Sequence, residues 1–373
     1  MAIAGTNIQL DSTEGMDKIT STTKVTSPYF SNGDTDLLAA NIITTSLSDT
    51  NENYFFGISN SSTPTVAEFN ITFGSLNGYG STTTTNKKNV TEAIYKHYAS
   101  TLLTPTEVTG GFHISSPGSV GQVTGKDEEI FVLSSRRSNM KDRLNKGTWL
   151  IALSGSTSAD GNTPADVLHL KDDSVNDLPT STPVGDRYNI VSCSAAGVIA
   201  TQASVRNFGF FYPDMGVLVF SAAELSSSIP GTAASASVPL KFGSGADATT
   251  GIGHLGFGHI KTAAGDTDQA LRFPMCLQAD ATKLSFRDEE DQVSAQYFCR
   301  VRSGHANFSN NPTFVSGSLN EMRQTKMKDN PQTFITSVQL YNQTGDMVAV
   351  GQLSTPLKKN FESEATMKVK LTY

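Results

Sequence analysis

The sequence predicts a mainly β protein of several modules, built as antiparallel sheets or sandwiches with one short helix and a C-terminal β-meander. Three observations carry this. In 365–373, Ala365, Met367, Val369, Leu371 and Tyr373 alternate with Thr366, Lys368, Lys370 and Thr372, an unbroken period of two that sets one strand face in a core and the other in water. Only 17% of residues are charged and 31 are Gly, with Ser, Thr and Asn abundant, a composition of low helix propensity that favours turns and strands. Finally, Phe208-Gly209-Phe210-Phe211-Tyr212 and Gly216-Val217-Leu218-Val219-Phe220 flank Pro213-Asp214-Met215, where Pro presets φ and Asp bonds the backbone ahead of it, as in a hairpin.

At 373 residues the chain exceeds one ordinary core. Composition divides it into an extended N-terminal arm (1–32), a mixed β module with one helix (33–127), a β module (128–225), a Ser/Ala/Gly-rich insertion (226–270) and a C-terminal antiparallel β module (271–373). The arm is polar and patternless and is expected to need a partner surface for order. Tyr54 to Ile58 reads as a strand after a polar turn, and Asn70-Ile71-Thr72-Phe73 as another. Residues 90–103 predict the helix, with Ile94, Tyr98 and Leu102 on one face and Pro105 as its stop. A strand at 129–135 runs into the basic stretch 136–147, read as a solvated helical turn ending at Gly147 rather than as an anion site. The strand 148–153 carries the only Trp, Trp149. The acidic run Asp288-Glu289-Glu290-Asp291 reads as a solvated turn, rather than a calcium loop, before the strand 296–301. From 333 the pattern is strand, turn at 342–346, strand, loop, strand.

Several function classes find no support. Net charge is −7 and the 28 Lys and Arg are scattered, so no stripe exists to neutralise nucleic-acid phosphates. No apolar run approaches the ~18 residues of a membrane span, and Met1-Ala2-Ile3-Ala4-Gly5 does not make a signal peptide, so synthesis in a cytoplasm is expected. Cys193, Cys276 and Cys299 are widely spaced and read as buried small hydrophobes. The acceptor-like triplets at Asn60, Asn70, Asn89, Asn307 and Asn342 follow from composition. Gly251-Ile252-Gly253-His254-Leu255-Gly256 matches a dinucleotide pattern in letters, but neither a strand precedes it nor a helix follows it. His254 and His259 with Asp266 or Asp268 lack a rigid frame for a metal. A polysaccharide hydrolase would need two carboxylates about 5–9 Å apart in a cleft, and one Trp is a sparse supply of sugar platforms. The expectation is a chain that is not an enzyme, with no catalytic, cofactor-binding or metal residues and no cofactor.

The segments Gln296-Tyr297-Phe298-Cys299-Arg300-Val301, Asn307-Phe308-Ser309-Asn310-Asn311-Pro312-Thr313-Phe314, Pro331-Gln332-Thr333-Phe334-Ile335-Thr336, Leu340-Tyr341-Asn342 and Leu353-Ser354-Thr355-Pro356-Leu357-Lys358-Lys359 resemble virion structural proteins of tailed bacteriophages, especially T4-like marine phages. Arg143-Leu144-Asn145-Lys146-Gly147-Thr148-Trp149 and Phe210-Phe211-Tyr212-Pro213-Asp214-Met215-Gly216 share in it. The likeness is strongest over 290–373, patchy over 128–225 and weak elsewhere. It implies a virion part of the tail, baseplate or fibre-attachment region, a homo-oligomer that contacts other virion proteins. Host-receptor binding and capsid or neck decoration are the alternatives. The resemblance brings no catalytic residues.

Overall fold

The computed structural model describes residues 17–31, 42–44, 54–60, 63–78, 81, 89–107, 111–114, 125–153, 168–199, 206–225, 268–275, 277, 284–309, 311–316 and 321–373. Its strands are β1 (Lys18–Ser31), β2 (Ile42–Thr44), β3 (Phe55–Asn60), β4 (Thr63–Ser75), β5 (Glu129–Ser135), β6 (Arg143–Leu144), β7 (Leu150–Leu153), β8 (Leu168–Asp172) and β9 (Thr180–Thr182). They continue as β10 (Gly185–Cys193), β11 (Asn207–Tyr212), β12 (Val217–Ser221), β13 (Leu284–Val301), β14 (Val315–Ser316), β15 (Glu321–Met322), β16 (Thr333–Tyr341), β17 (Met347–Lys359) and β18 (Ala365–Thr372). The helices are α1 (Val90–Leu102) and the single turn α2 (Arg272–Met275). The protein is mainly β, as its composition dictates.

Two compact units partition the chain, one spanning Thr26–Glu290 and the other Asp291–Tyr373 together with Met1–Val25. In the larger unit the sheet runs in the order β13-β7-β8-β10-β11-β12-β5-β4-β3-β2. Its central strands are apolar on both faces. Phe131 and Leu133 of β5 and Leu218 and Phe220 of β12 enter one aromatic core, while Ile130, Val132, Val217 and Val219 enter a second core beneath α1. Strands buried on both sides read as continuous apolar runs without alternation, which is what 130–133 and 217–220 show. Phe273 packs on Phe131 and Phe220 and closes the first core.

Close backbone approach fixes two glycines in this unit. A Cβ on Gly74 would stand 3.1 Å from the Tyr95 backbone, so α1 lies directly on β4 there. One on Gly209 would meet the Val219 carbonyl at 2.2 Å. Gly209→Ala is therefore expected to destabilise the fold by about 2–3 kcal/mol through overpacking, measured as a lower urea midpoint at unchanged slope.

Several sequence expectations are corrected. The C-terminal half of the supposed arm is β1, which lies at the end of the sheet order beside β13. Edge strands are polar and weakly patterned, which is why 18–31 shows so little periodicity. Composition separated 33–127 from 128–225, whereas β4 and β5 pair from Phe69↔Ser135 to Ser75↔Glu129, so both stretches build one sheet. The stretch 136–147 forms turns around the two-residue β6 rather than a helical turn, although Gly147 does adopt φ +74°. The acidic run 288–291 lies inside β13, and Asp288 and Glu289 are buried. Ser27 donates to Asp288 at 2.5 Å, Asn145 donates to Glu289 at 2.5 Å, and Arg143 pairs with Glu289 at 3.1 Å, partners too distant in sequence to be foreseen.

The helix matches its expected span, but its buried face is Thr91, Tyr95, Ala99 and Leu102, one residue off the Ile94-Tyr98-Leu102 stripe. Tyr95 goes inward because its hydroxyl is satisfied there, donating to the Asp127 carbonyl at 2.7 Å and accepting from the Phe112 N–H at 3.1 Å. Residues 208–220 form the predicted hairpin, with Tyr212 opposite Val217. At the C-terminus β16 and β17 form a two-stranded sheet, but β18 pairs with β13 from Ala365↔Val301 to Thr372↔Ser294 and does not extend the hairpin into a meander.

Candidate interaction surface

Among the described residues, most of the exposed large apolar side chains belong to the C-terminal unit. Its small core joins Cys299 and Val301 of β13 to Ala365 and Met367 of β18, and Ile335, Val338, Leu340 and Leu353 of the hairpin pack over them. These residues use the inward face of β16–β17. The outward face remains apolar too, with Tyr341 57%, Met347 55%, Val348 61% and Val350 62% exposed. Register explains the cluster. Tyr341 stands opposite Met347 and Leu340 opposite Ala349, so a bulge leaves Val348 without a cross-strand partner beside the pair. The turn is held rigidly: the Asp346 N–H donates to Asn342 Oδ1 at 2.8 Å, and Gly345 takes φ +90°. Hydrogen bonds from Thr344 and then Asn342 hold the Asp346 carboxyl below its ordinary range.

The far end of the hairpin is clamped to the loop at 302–316. Lys359 is fully buried, and its ammonium donates to the carbonyls of Ser303 (2.9 Å) and Asn360 (2.8 Å) and to Asn307 Oδ1 (2.8 Å). Three acceptors match its three donors, while burial pulls its pKa below the usual value. In the same loop the Asn311 N–H donates to the Ser309 hydroxyl at 3.2 Å and the Thr313 N–H to Asn311 Oδ1 at 3.1 Å, turns expected from these residue types. Asn310 lies outside the described residues. Phe308 and Phe314 meet edge to face at 5.6 Å, and Phe308 is exposed.

The buried carboxylates of the larger unit are staples for loops. Asp172 accepts from the Gly147 N–H at 2.9 Å, Asp173 from the backbone and side chain of Asn189 at 3.0 and 2.8 Å, and Asp127 from the Ile114 N–H at 2.7 Å and from the Ser221 hydroxyl. Burial pushes all three above the usual Asp range. A raised folded value means that the native state holds its proton more tightly, so the stability from these groups is complete below the unfolded pKa and falls as pH rises through the folded value. Asn imitates the protonated acid. Relative to wild type, Asp172→Asn is thus expected to be most destabilising near about pH 3 and least near about pH 7, read from urea midpoints at each pH.

The residues singled out in the sequence have structural settings. Trp149 is buried, stacked on Phe286 at 5.6 Å and edge-on to Phe211 at 5.4 Å, so it offers no platform to a sugar. Burial raises the Cys193 thiol to about 11 and also raises Cys299. Cys299 and Asn307 are buried and Cys193 is half-buried. Cys276, Gly251 to Gly256, His254, His259 and Asp266 lie outside the described residues, as does the side chain of Asp268. Among the described residues no group of three or more His, Cys, Asp and Glu is placed to hold a metal, and no helix is long and apolar enough to cross a membrane. Sequence reasoning missed the outward hairpin face. The unalternated Met347-Val348-Ala349-Val350 was its available signal, read only as strand. Compared with models of protein families, with curated proteins and with solved structures, the chain matches none.

Proposed function

We propose that the chain is a non-enzymatic structural protein of a tailed-phage virion, made in the host cytoplasm and built into the tail, baseplate or fibre-attachment region through contacts with other virion proteins and with its own copies. One observation carries this reading: Tyr341, Met347, Val348 and Val350 stand more than half exposed together at the turn end of a two-stranded sheet. With its inner face already packed on the core of its own unit, the exposed apolar patch on the other face supports a surface that another protein covers. The rigid turn supports the same reading, because a preordered surface loses little entropy on docking. The resemblance over 290–373 falls on this unit.

Mass spectrometry of purified particles tests the proposal. The chain is expected at a fixed ratio to the other structural proteins, and folded Val350→Glu chains are expected to be left out. Recovery from the soluble lysate alone, and never from particles, would end the idea.

A further inference from the structure

We infer that Lys359 and Asn307 are the two halves of a self-forming crosslink, an isopeptide bond that ties the base of the β16–β17 hairpin to the loop after β13. The inference does not depend on the virion reading. Both side chains belong to the C-terminal unit, Lys359 at 0% and Asn307 at 4% exposure, and Lys359 Nζ stands 2.8 Å from Asn307 Oδ1. The amide carbon is one C=O bond further on, about 1.2 Å, so Nζ lies within about 4 Å of it, a small swing from the roughly 3–3.5 Å of a near-attack contact.

Two features set this pair apart from an ordinary buried hydrogen bond. The first is charge. The acceptors of the ammonium are the Ser303 and Asn360 carbonyls and Asn307 Oδ1, all neutral. A buried charge held by neutral partners alone is costly, and burial draws the Lys359 pKa down, which brings the nucleophilic amine within reach. Condensation with the amide removes the charge altogether. The second is backbone strain. Ala306, directly before Asn307, is the one non-Gly residue at positive φ among the described residues, at +56°, and Thr333 donates its hydroxyl to the Ala306 carbonyl. A residue with a Cβ stays in that region only where its surroundings fix it. Asn307 itself is pinned by donating Nδ2–H to the Ser303 carbonyl at 2.6 Å.

The chemistry balances within the chain. The ammonium first gives up a proton, for which Glu364, whose charge acts on Lys359, is the base. The Nζ–Cγ bond then forms, the Cγ–Nδ2 bond breaks, and Nδ2 leaves as ammonia with a second proton from Nζ. No oxidant, metal or cofactor takes part.

Mass spectrometry of the purified full chain, intact and after trypsin, tests this. Wild type is expected to weigh one ammonia less than its residues, and trypsin is expected to release 303–323 and 359–368 as one branched peptide. Lys359→Arg and Asn307→Ala each abolish both signs, with circular dichroism to confirm folding, and the wild-type spectrum decides the question even where a variant does not fold. A wild-type mass equal to that of its residues, in protein whose hairpin amides are protected from hydrogen exchange, overturns the inference. So does a missing ammonia found only in linear peptides, which marks a cyclised asparagine in place of a crosslink.

Discussion

Ending the chain at Glu364 unfolds the C-terminal unit. The deletion removes β18, whose eight residues from Ala365 to Thr372 pair in register with Ser294 to Val301. It also takes Ala365 and Met367 out of a core whose buried members, among the described residues, are Cys299, Val301, Ala365 and Met367. At about 25 cal/mol per Å² of apolar surface, one large buried side chain and two half-buried ones, Val369 and Leu371, contribute roughly 3–6 kcal/mol before entropy is subtracted. That is comparable with the whole stability of a small module. Hydrogen exchange is the measurement: amides of 294–301 and of the β16–β17 hairpin lose protection in the truncated chain. Unchanged protection there contradicts the assignment of β18 as the strand that closes this unit.

Trp149→Ala is expected to destabilise the larger unit by about 3–5 kcal/mol, the range for deleting a fully buried Trp. The side chain is wedged between Phe286 and Phe211, and Phe286 in turn packs on Phe69 at 4.8 Å, so the vacancy opens at the centre of the aromatic core where little can collapse into it. Trp149→Phe behaves differently. The indole N–H has no hydrogen-bond partner among the described residues, so Phe removes an unsatisfied donor while keeping most of the ring contact. Its expected cost is about 1.5 kcal/mol or less. Urea unfolding that gives equal losses for the two variants would show that ring packing does not hold this core together.

The fold was legible where local pattern and tertiary environment agree. The period of two at 365–373 marked a strand, and the structure buries Ala365 and Met367 while exposing Thr366 and Lys368, but Val369 and Leu371 are only half-buried and Tyr373, expected on the core face, is 71% exposed. Pro213 and Asp214 marked the hairpin between β11 and β12. Legibility failed where a distant partner decides the outcome. Nothing local tells that Asp288 and Glu289 lie in a strand, since their donors are Ser27, Asn145 and Arg143. Tyr95 displaced Tyr98 from the buried face of α1 because its hydroxyl finds both an acceptor and a donor inside. The exposed hairpin face was the hardest to foresee. Apolar residues in a strand imply burial, and sequence alone does not say whether the burying surface belongs to the same chain.

A cryo-EM map of the intact particle tests the central claim most directly. The account predicts this chain at fixed positions, with Tyr341, Met347, Val348 and Val350 of each interior copy pressed against a neighbouring subunit and excluded from solvent. A map in which that hairpin face looks into solvent at every position, or in which the chain is absent, contradicts it.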